Sequence, residues 1–528
     1  MTVKNHLQVL YNGRIHTMSS TTPEVSALVI DHGRILAIGS DDQIWREFRD
    51  QRNAHNLQGR AVIPGLIDAH IHLSQYALSL EKVDCETSSR SECLRRVAER
   101  AGVTPAGEWI LGHGWNQNDW HEGFGTAADL DAVAPHHPVY LTAKSLHAAW
   151  ANTAALLRAG ISSQTPDPEG GKIGRDPSGK PDGILFESAM ELVARVIPEP
   201  EGASLTQAIE KAQSSLWQMG LTGVHDFDRR ACFSSLQSLR EDGRLRLRVV
   251  KSIPLEDLLH AAALGLRTGF GDDFLRIGAI KAFADGALGP QTAAMLQPYE
   301  GNPENRGMLL LDAEQLIEHG KIAVKSGLSL AVHAIGDRAV HEVLEAMQAL
   351  RGIDRTLRHR IEHVQLIHPG DTHRLGELGI IASMQPIHAT SDMFMADRHW
   401  GRRASLSYAW RTQLNHHAVL AFGSDAPVES PNPFWGIHAA VTRRRQDGAP
   451  APEGWYPEQR LSISEALHGY TTGPAYAAGW EHCQGQLMPG FFADLIVLDE
   501  DPFTCDPEKL PMIKPVATMV AGEWVYRE

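Results

Sequence analysis

Two histidines, His70 and His72, lie two positions apart in the sequence AVIPGLIDAHIHL, which spans 61–73. The segment is apolar almost up to the first histidine, which is typical of a buried β-strand. Because side chains of a strand alternate between its two faces, both imidazoles point to the same side. Two neutral imidazoles on one side supply half of the ligands of a metal site. A strand that merely carries two histidines fits this short pattern equally well.

A lysine, Lys281, lies near the end of another apolar segment, IGAIKAF. Burial lowers the pKa of an amine because it disfavours the charged form. A neutral amine can add carbon dioxide and become a carbamate, a carboxylate equivalent that is able to bridge two metals. The alternative is a lysine whose aliphatic stem packs on the strand while its ammonium group reaches water.

Three further residues follow short apolar segments: His333 in SLAVHAIGD, His363 in HRIEHVQ and Asp425 in AVLAFGSDAPV. In a parallel α/β barrel, the residues at the carboxyl ends of the strands converge although they are distant in sequence. The pattern therefore predicts that these three side chains meet the two histidines and the lysine. The alternatives are hydrogen-bonded core histidines and an aspartate that caps the next helix.

Composition narrows the class of protein. The chain has 528 residues, 43% of them hydrophobic and 21% charged, with a formal net charge of -15. This charge argues against a nucleic-acid-binding protein, which needs a basic face. No apolar run approaches the length of a membrane span, and the first residues lack the pattern of a signal peptide, so we expect a cytoplasmic protein. The five cysteines are too scattered for a disulfide framework.

The middle of the chain alternates apolar strands with helical stretches, a pattern that predicts a (β/α)8 barrel. Periodicity alone leaves a doubly wound open sheet as the alternative. The predicted barrel strands are 65–72, 221–227, 245–252, 275–283, 328–333, 359–364, 379–385 and 418–424.

The two ends of the chain are rich in short strands, with Asn12-Gly13 and His32-Gly33 as turn signals. We therefore predict that residues 1–62 and 480–528 pair into one composite β-sandwich. The barrel occupies 63–479. The gap between its first two strands is too long for a loop, so an inserted subdomain is expected at about 76–215.

Several motifs share one order along the chain with a known group of enzymes. In this order they resemble the amidohydrolase superfamily, and more narrowly the amidohydrolase 3 group, which includes N-substituted formamide deformylases. The resemblance implies an α/β fold: a distorted (β/α)8 barrel of the TIM type with a composite β-sandwich and a metal centre at the barrel mouth. The motifs are PGLIDAHIH, GHGWNQNDW, HAAWANTAAL, KAFADGALGPQTAAM, VHAIGDRAV, RIEHVQ, FGSDAPV, ALHGYTTGPAYAAG and GFFADLIVLDEDP.

The resemblance also implies a role for each candidate ligand. His70 and His72, together with Asp425, would hold one divalent metal ion. His333 and His363 would hold a second ion, and Lys281, as a carbamate, would bridge the two. Two zinc ions are expected, although histidine and carboxylate ligands also accept manganese, iron or cobalt. The expected reaction is hydrolysis of an amide-type C–N bond by a metal-activated hydroxide, with Asp425 as general base and then general acid.

The substrate is expected to be a small amide-type molecule. The candidates for contacts with it are Trp115, Asn116, His147 and His388. Relatives often carry Asp-Gly before the histidine of the inserted segment, whereas this chain has Ser145-Leu146 before His147. This departure leaves the role of His147 open.

Two other functions remain open. The first is a mononuclear deaminase of a nucleobase-like or other heterocyclic amine. Such sites lack the bridging lysine and typically carry HxxE after the fifth strand, whereas this chain has Asp337 one place later than that glutamate. The second is a non-catalytic barrel that serves in binding or assembly, which should show a broken ligand set. The size of the chain is compatible with a homo-oligomer.

Overall fold

The computed structural model describes residues 7–48, 53–117, 120–144, 147–198 and 200–528. The chain divides into two compact units. One comprises Met1–Tyr76 and Ile209–Glu528, and the other comprises Ala77–Ala208. The first unit contains the barrel and the β-sandwich, and it also contains all six predicted metal ligands.

Within the described residues, the barrel is a sheet of eight parallel strands that are hydrogen-bonded in sequence order. An isolated parallel bridge between Ile71 and Ala426 joins the first strand to the chain just after the last one. A doubly wound sheet would reverse its strand order part-way, so the predicted barrel is confirmed. The barrel strands are Leu66–Ile71, Leu221–Asp226, Arg248–Pro254, Leu275–Phe283, Leu330–Ala334, Arg360–His363, Ile381–Met384 and Leu420–Phe422.

Helices separate the barrel strands and cover their outer side, because a parallel strand needs a crossover connection before the next one can pair. The helix Ala313–Lys325, for example, starts with a reciprocal capping box between Asp312 and Gln315. The helices of this unit outside the sandwich are Leu73–Ser79, Gly202–Gln218, Arg230–Glu241, Leu258–Ala263, Ala313–Lys325, Asp337–Arg351, Arg374–Leu378, Pro386–Trp400, Trp410–Asn415, Pro433–Thr442, Ile463–Tyr470 and Thr472–Ala478.

The third barrel strand starts later than predicted, at Arg248 and not at residue 245. The reason is the preceding helix, Arg230–Glu241. The backbone N–H groups of Arg244 and Leu245 both still donate to the carbonyl oxygen of Leu239, at 2.8 and 2.9 Å. The apolar run LRLRVV therefore begins in the helix C-terminal turn, which sequence periodicity does not distinguish from the strand.

The sandwich combines both ends of the chain. Strand Leu495–Leu498 pairs with Ala61–Pro64, which joins C-terminal strands to N-terminal ones. His32 and Gly33, both with positive φ, form the predicted tight turn between two N-terminal strands. In sheet order, the strands are Arg34–Gly39, Ala27–Asp31, Gln8–Tyr11 and Ala54–Asn56 in one sheet, and Glu523–Arg527, Pro515–Val520, Leu495–Leu498, Ala61–Pro64, Arg14–His16 and Glu24–Val25 in the other. A short helix, Asp41–Glu47, follows the first sheet's edge strand.

The second unit has a mixed sheet and its own hydrophobic core, in which Trp115, Trp120 and Trp150 are buried. Its strands in sheet order are Gly171–Arg175, Pro181–Glu187, Ala148–Ala151, Val139–Ala143, Ile110–Trp115 and Val83–Asp84. Its helices are Arg90–Val103, Ala127–Val133, Thr153–Arg158 and Glu191–Ala194.

Among the described residues, no helix combines the length and the apolar character that crossing a membrane requires. The five cysteines are free thiols.

Candidate metal centre

The first and last barrel strands bring two histidines to one carboxylate. The Nε2 atoms of His70 and His72 lie 3.5 and 3.4 Å from the same oxygen, Oδ1 of Asp425. The side chain of His70 is 1% exposed, whereas that of His72 is 23% exposed. The alternation of side chains along the first strand therefore does place both imidazoles on one side, with the carboxylate between them.

The sixth strand adds His363 to this group. One donor atom from each of His70, His363 and Asp425 lies within 4.8 Å of the other two. His333, on the fifth strand, packs its ring against that of His363 with a centroid distance of 4.5 Å. The structure thus brings all four predicted histidines and the aspartate together at the carboxyl ends of the strands.

Each imidazole of the first strand is held by a carboxylate on its far nitrogen. Nδ1 of His70 lies 2.6 Å from Oε2 of Glu362, and Nδ1 of His72 lies 3.0 Å from Oδ1 of Asp228. A carboxylate accepts a hydrogen bond from the Nδ1–H group, so the lone pair of a neutral ring is left on Nε2. The Nε2 atoms of both rings then face Asp425, as in metal-binding histidines with oriented tautomers. Burial lowers the pKa of His72, but its hydrogen bonds to Asp228 and Asp425 raise that pKa to about 9.

The other two imidazoles are anchored by neutral groups. Nδ1 of His363 donates to Oε1 of Gln385 at 2.8 Å. Nε2 of His333 donates to the carbonyl oxygen of Gly286 at 2.9 Å. His363 consequently presents Nε2, whereas His333 is left with Nδ1 as its free nitrogen. A metal held by both histidines would meet a different ring nitrogen of each.

Backbone strain accompanies the ligand positions. His363 has a φ of 74°, and Asp425 has a φ of 61°. Residues other than glycine rarely adopt this left-handed region, and such strain concentrates at functional sites. The departure at His363 also breaks the alternation of the sixth strand. Both His363 and its neighbour Glu362 therefore reach the group of histidines.

A buried carboxylate, Asp68, ties the first strand to the last. Its Oδ1 accepts the backbone N–H of His70 at 2.9 Å and that of Ser424 at 3.1 Å. The backbone N–H of Asp425 donates in turn to the carbonyl oxygen of His70 at 2.7 Å. Gly423 is needed at this crossing, because a Cβ there would lie 2.4 Å from the backbone nitrogen of His70.

Burial keeps three of the imidazoles neutral. It lowers the pKa of His70 to about 4 and that of His333 to about 3, and the ammonium group of Lys281 acts in the same direction. The pKa of His363 is likewise held well below its usual value by burial and by the neighbouring His333. Burial by itself would raise the pKa of Asp425, but the imidazoles of His70 and His72 hold it well below its usual range. Neutral imidazoles beside an ionised carboxylate are ligands ready for a cation.

Lys281 lies close enough to the same group to influence the pKa values of His70 and His333. Its side chain is buried, and its Nζ lies 4.6 Å from the ring centroid of Phe227 and 5.0 Å from that of Phe283. Burial lowers the pKa of Lys281 to about 8, although Glu362 and Asp425 favour its charged form. The neutral amine is therefore more accessible near neutral pH than that of an exposed lysine.

These residues fit a divalent metal, because hydrogen bonds orient every imidazole and nitrogens of His70, His72 and His363 lie near the carboxylate of Asp425. A second acidic cluster, Asp226, Asp228 and Cys232, also has closely spaced donor atoms. There, however, the Nζ of Lys251 already lies 2.8 Å from Oδ2 of Asp226. The ammonium group supplies the positive charge that this cluster needs.

His388 lies in the first turn of the helix Pro386–Trp400, which follows the seventh strand. Its ring is nearly parallel to that of His363, with an interplanar angle of 7° and a centroid distance of 6.3 Å. The side chain is buried, and within the described part of the chain its Nε2 has no hydrogen-bond partner. The ring of His388 therefore lies beside a predicted ligand with one nitrogen unsatisfied.

The remaining predicted substrate contacts belong to the second unit. Trp115 is 1% exposed and donates from Nε1 to the carbonyl oxygen of Leu141 at 2.8 Å, so it is a core residue of that unit. Asn116 is partly buried. His147 is exposed and contacts Glu187 at 3.0 Å. The departure from the family pattern at Ser145 and Leu146 lies outside the described residues.

The sequence analysis did not identify the groups that orient the histidines: Asp228, Glu362 and Gln385. Strict alternation places Glu362 on the opposite face from His363, so periodicity argues against a contact between Glu362 and the histidines. Asp228 lies in the loop after the second strand, and Gln385 directly precedes a helix. The one available signal was position, since all three lie at carboxyl ends of barrel strands.

Comparison with known proteins decides the family. The model of the amidohydrolase family matches residues 54–526. The chain belongs to the amidohydrolase family. It is 35% identical over 98% of its length to the protein LONG AFTER FAR-RED 3 of Arabidopsis thaliana, of which 91% is covered. It is 28% identical to the N-substituted formamide deformylase of Arthrobacter pascens, with 100% of this chain and 99% of the relative covered.

A solved structure agrees with this assignment. An uncharacterized metal-dependent hydrolase from Pyrococcus furiosus superposes with a TM-score of 0.79 and 31% identity, over 94% of this chain and 100% of the other. The predicted family and fold class are thereby confirmed. This amidohydrolase is a metal-dependent hydrolase, and its family implies a divalent metal ion.

Proposed function

We propose that this amidohydrolase cleaves the C–N bond of a small amide-type substrate, with Asp425 as general base and general acid. The observation that carries the proposal is the convergence of two oriented Nε2 atoms, from His70 and His72, on Oδ1 of Asp425. A carboxylate at such a point both binds a cation and lies beside the water that must be deprotonated. One relative acts on N-substituted formamides, as its name states.

The proposed metal content is two zinc ions, with manganese, iron or cobalt as alternatives. His70, His72 and Asp425 would hold one ion, and His333 and His363 the other. Two facts support a carbamate on Lys281: its burial and its lowered pKa. The amine would add carbon dioxide and lose a proton, and the resulting anion would be a further ligand for the metal. When bound, the ions lower the pKa of water and polarise a carbonyl group.

The residues then divide the chemistry among them. Asp425 accepts a proton from water as its oxygen attacks the carbonyl carbon. The same carboxyl group gives that proton to the nitrogen as the C–N bond breaks, so that an acid and an amine leave. His388 donates from Nε2 to the carbonyl oxygen, since that nitrogen has no other partner among the described residues. Glu362 and Asp228 keep the ligand tautomers fixed throughout.

The geometry around the fifth strand speaks against the deaminase alternative. Asp337, the acid nearest to His333 in sequence on its C-terminal side, is 4% exposed. Its Oδ1 accepts the backbone N–H of Leu296 at 2.8 Å, at the start of the helix Asp337–Arg351. It is therefore committed to the packing of a loop.

The experiment is metal-dependent hydrolysis of amides, formamides and cyclic imides by zinc- or manganese-loaded protein. Asp425→Asn should keep most of the bound metal and lose about 10²–10⁴-fold in kcat, the usual contribution of acid–base catalysis. Asp447→Asn is the matched control, because Asp447 is an exposed partner of Arg445. Full activity of Asp425→Asn refutes the general-base role. Release of ammonia from a heterocyclic amine, with one metal per chain, would identify a deaminase. A protein that binds metal but turns over none of these compounds would be a binding protein.

A further inference from the structure

We propose that Phe283 forms an apolar wall of the substrate site, and that the substrate is a neutral amide with an aliphatic or aromatic substituent. This inference rests on the proposed function and specifies its substrate class. It starts from an unusual feature of the fourth barrel strand, Leu275–Phe283. The last side chain of this strand lies beside the metal ligands but is 47% exposed.

The position of Phe283 is fixed by its neighbours. It pairs in register with His333 on the fifth strand, and the two ring centroids are 5.1 Å apart. Two positions earlier on the same face is Lys281, whose Nζ lies 5.0 Å from the Phe283 ring centroid. Phe283 therefore covers two of the proposed ligands and leaves part of its ring free.

Phe227 shows what a purely structural aromatic ring looks like here. It also lies within 4.6 Å of the Lys281 Nζ, and it stacks on His70 with a centroid distance of 4.2 Å. Yet Phe227 is only 7% exposed. Of these two rings around Lys281, one completes the core and the other faces open space. An exposed apolar ring at a catalytic mouth is favoured when it contacts a ligand.

Two other exposed apolar residues have backbones that are hydrogen-bonded to this region. Leu310 is 50% exposed, and its backbone N–H donates to the carbonyl oxygen of Ala284, the residue after Phe283, at 2.7 Å. Val428 is 66% exposed, and its N–H donates to the carbonyl oxygen of Asp425 at 3.0 Å. Exposed apolar residues thus occur next to the backbone that follows the fourth strand and the eighth.

Two arginines that follow barrel strands each have an acidic neighbour. Arg338, at the start of the helix after the fifth strand, lies 3.8 Å from Glu342. Arg229, after the second strand, is 83% exposed and lies 3.4 Å from Glu256. A carboxylate on the substrate would compete with these glutamates for its partner, whereas an alkyl or aryl group gains contact area with Phe283. The arrangement favours a neutral substrate.

The test uses two matched probes, N-hexylformamide and its analogue in which a carboxylate replaces the terminal methyl group. The metal-loaded wild type should show a kcat/KM about tenfold or more higher for the neutral probe, equivalent to about 1.4 kcal/mol. Phe283→Ala should remove this preference through KM, with kcat changed less than about twofold. Phe283→Leu should keep most of it. Phe270→Ala is the control, because Phe270 is an exposed ring before the same strand, at its opposite end.

A second measurement separates this inference from the proposed hydrolysis. Saturation-transfer NMR on metal-free protein should show contact of the hexyl chain with the wild type and its loss in Phe283→Ala. If neither probe is hydrolysed but this contact is seen, the apolar wall stands and the proposed reaction fails for these amides. Equal or better use of the carboxylate probe overturns the inference. So does equal contact in Phe283→Ala, or an equal loss of kcat for both probes.

Discussion

Replacing Glu362 by glutamine tests how the metal centre is built. The side chain of Glu362 is fully buried between two partners, His70 and Arg360. Glutamine keeps the shape but has one acceptor oxygen and one NH₂ group. If the NH₂ group faces His70, it donates to Nδ1 and moves the imidazole proton to Nε2, where a metal must bind. If it faces Arg360, two donors meet.

Both orientations have a cost that can be measured. Groups that orient a ligand histidine typically contribute 10–100-fold to metal affinity, which is about 1.4–2.7 kcal/mol. Breaking a buried ion pair costs about 3–5 kcal/mol of folding free energy when one charge is left unpaired. Arg360 keeps contacts at 2.6 Å with the carbonyl oxygen of Ala69 and at 2.9 Å with Nδ1 of His225. We therefore expect the lower end of that range, about 3 kcal/mol.

The assay pairs chelator competition for zinc affinity with urea unfolding of the metal-free protein. Glu481→Gln is the matched control, since Glu481 also binds an arginine through both oxygens but touches no metal ligand. It should lose little stability and no metal affinity. Unchanged zinc affinity in Glu362→Gln, with a full-length folded protein, would refute the orienting role of this carboxylate.

Three further predictions follow from buried contacts. Gly423→Ala places a Cβ 2.4 Å from the backbone nitrogen of His70, so zinc affinity should fall and about 1–3 kcal/mol of stability should be lost. Gly102→Ala is the control, because its Cβ has nothing within 4 Å, and its free energy of unfolding in urea should be unchanged. Lys251→Met leaves Asp226 unpaired and should destabilise the protein by about 3–5 kcal/mol. Adding Asp226→Asn should restore part of the lost stability. If the double variant instead lost the sum of the two single losses, the pairing of Lys251 with Asp226 would be contradicted. Burial lowers the pKa of His359 to about 4. As the pH falls below about 6.5, the unfolded state therefore binds a proton before the folded state does, and the free energy of unfolding decreases. Between about pH 7 and pH 5 this decrease should be about 2 kcal/mol smaller in His359→Gln than in the wild type, and an equal decrease in both proteins would refute this reasoning.

The barrel was predictable because each strand is a short apolar run and the chain alternates strictly with helices. The position of His70 and His72 on the same side was also predictable, because side chains of a strand alternate with a period of two. The third strand shows the limit, because its apolar run begins in a helix C-terminal turn, whereas the strand itself starts at Arg248. Hydrophobicity measures burial and does not distinguish the two backbone conformations.

The orienting groups could not be read from periodicity. Glu362 and His363 are adjacent and both reach the group of predicted ligands, and His363 has a positive φ. Asp228 and Gln385 act on histidines that are distant in sequence, so nothing local marks them. The exposure of Phe283 was also hidden, because a phenylalanine at the end of a strand is usually part of the core.

The central claim is that His70, His72, Lys281, His333, His363 and Asp425 hold metal. It is tested most directly by anomalous diffraction from crystals of the zinc-loaded protein. The account predicts zinc at about 2.0–2.2 Å from the Nε2 atoms of His70 and His72 and from a carboxylate oxygen of Asp425. Zinc bound only at Asp226, Asp228 and Cys232, with those histidines free of metal, would contradict it.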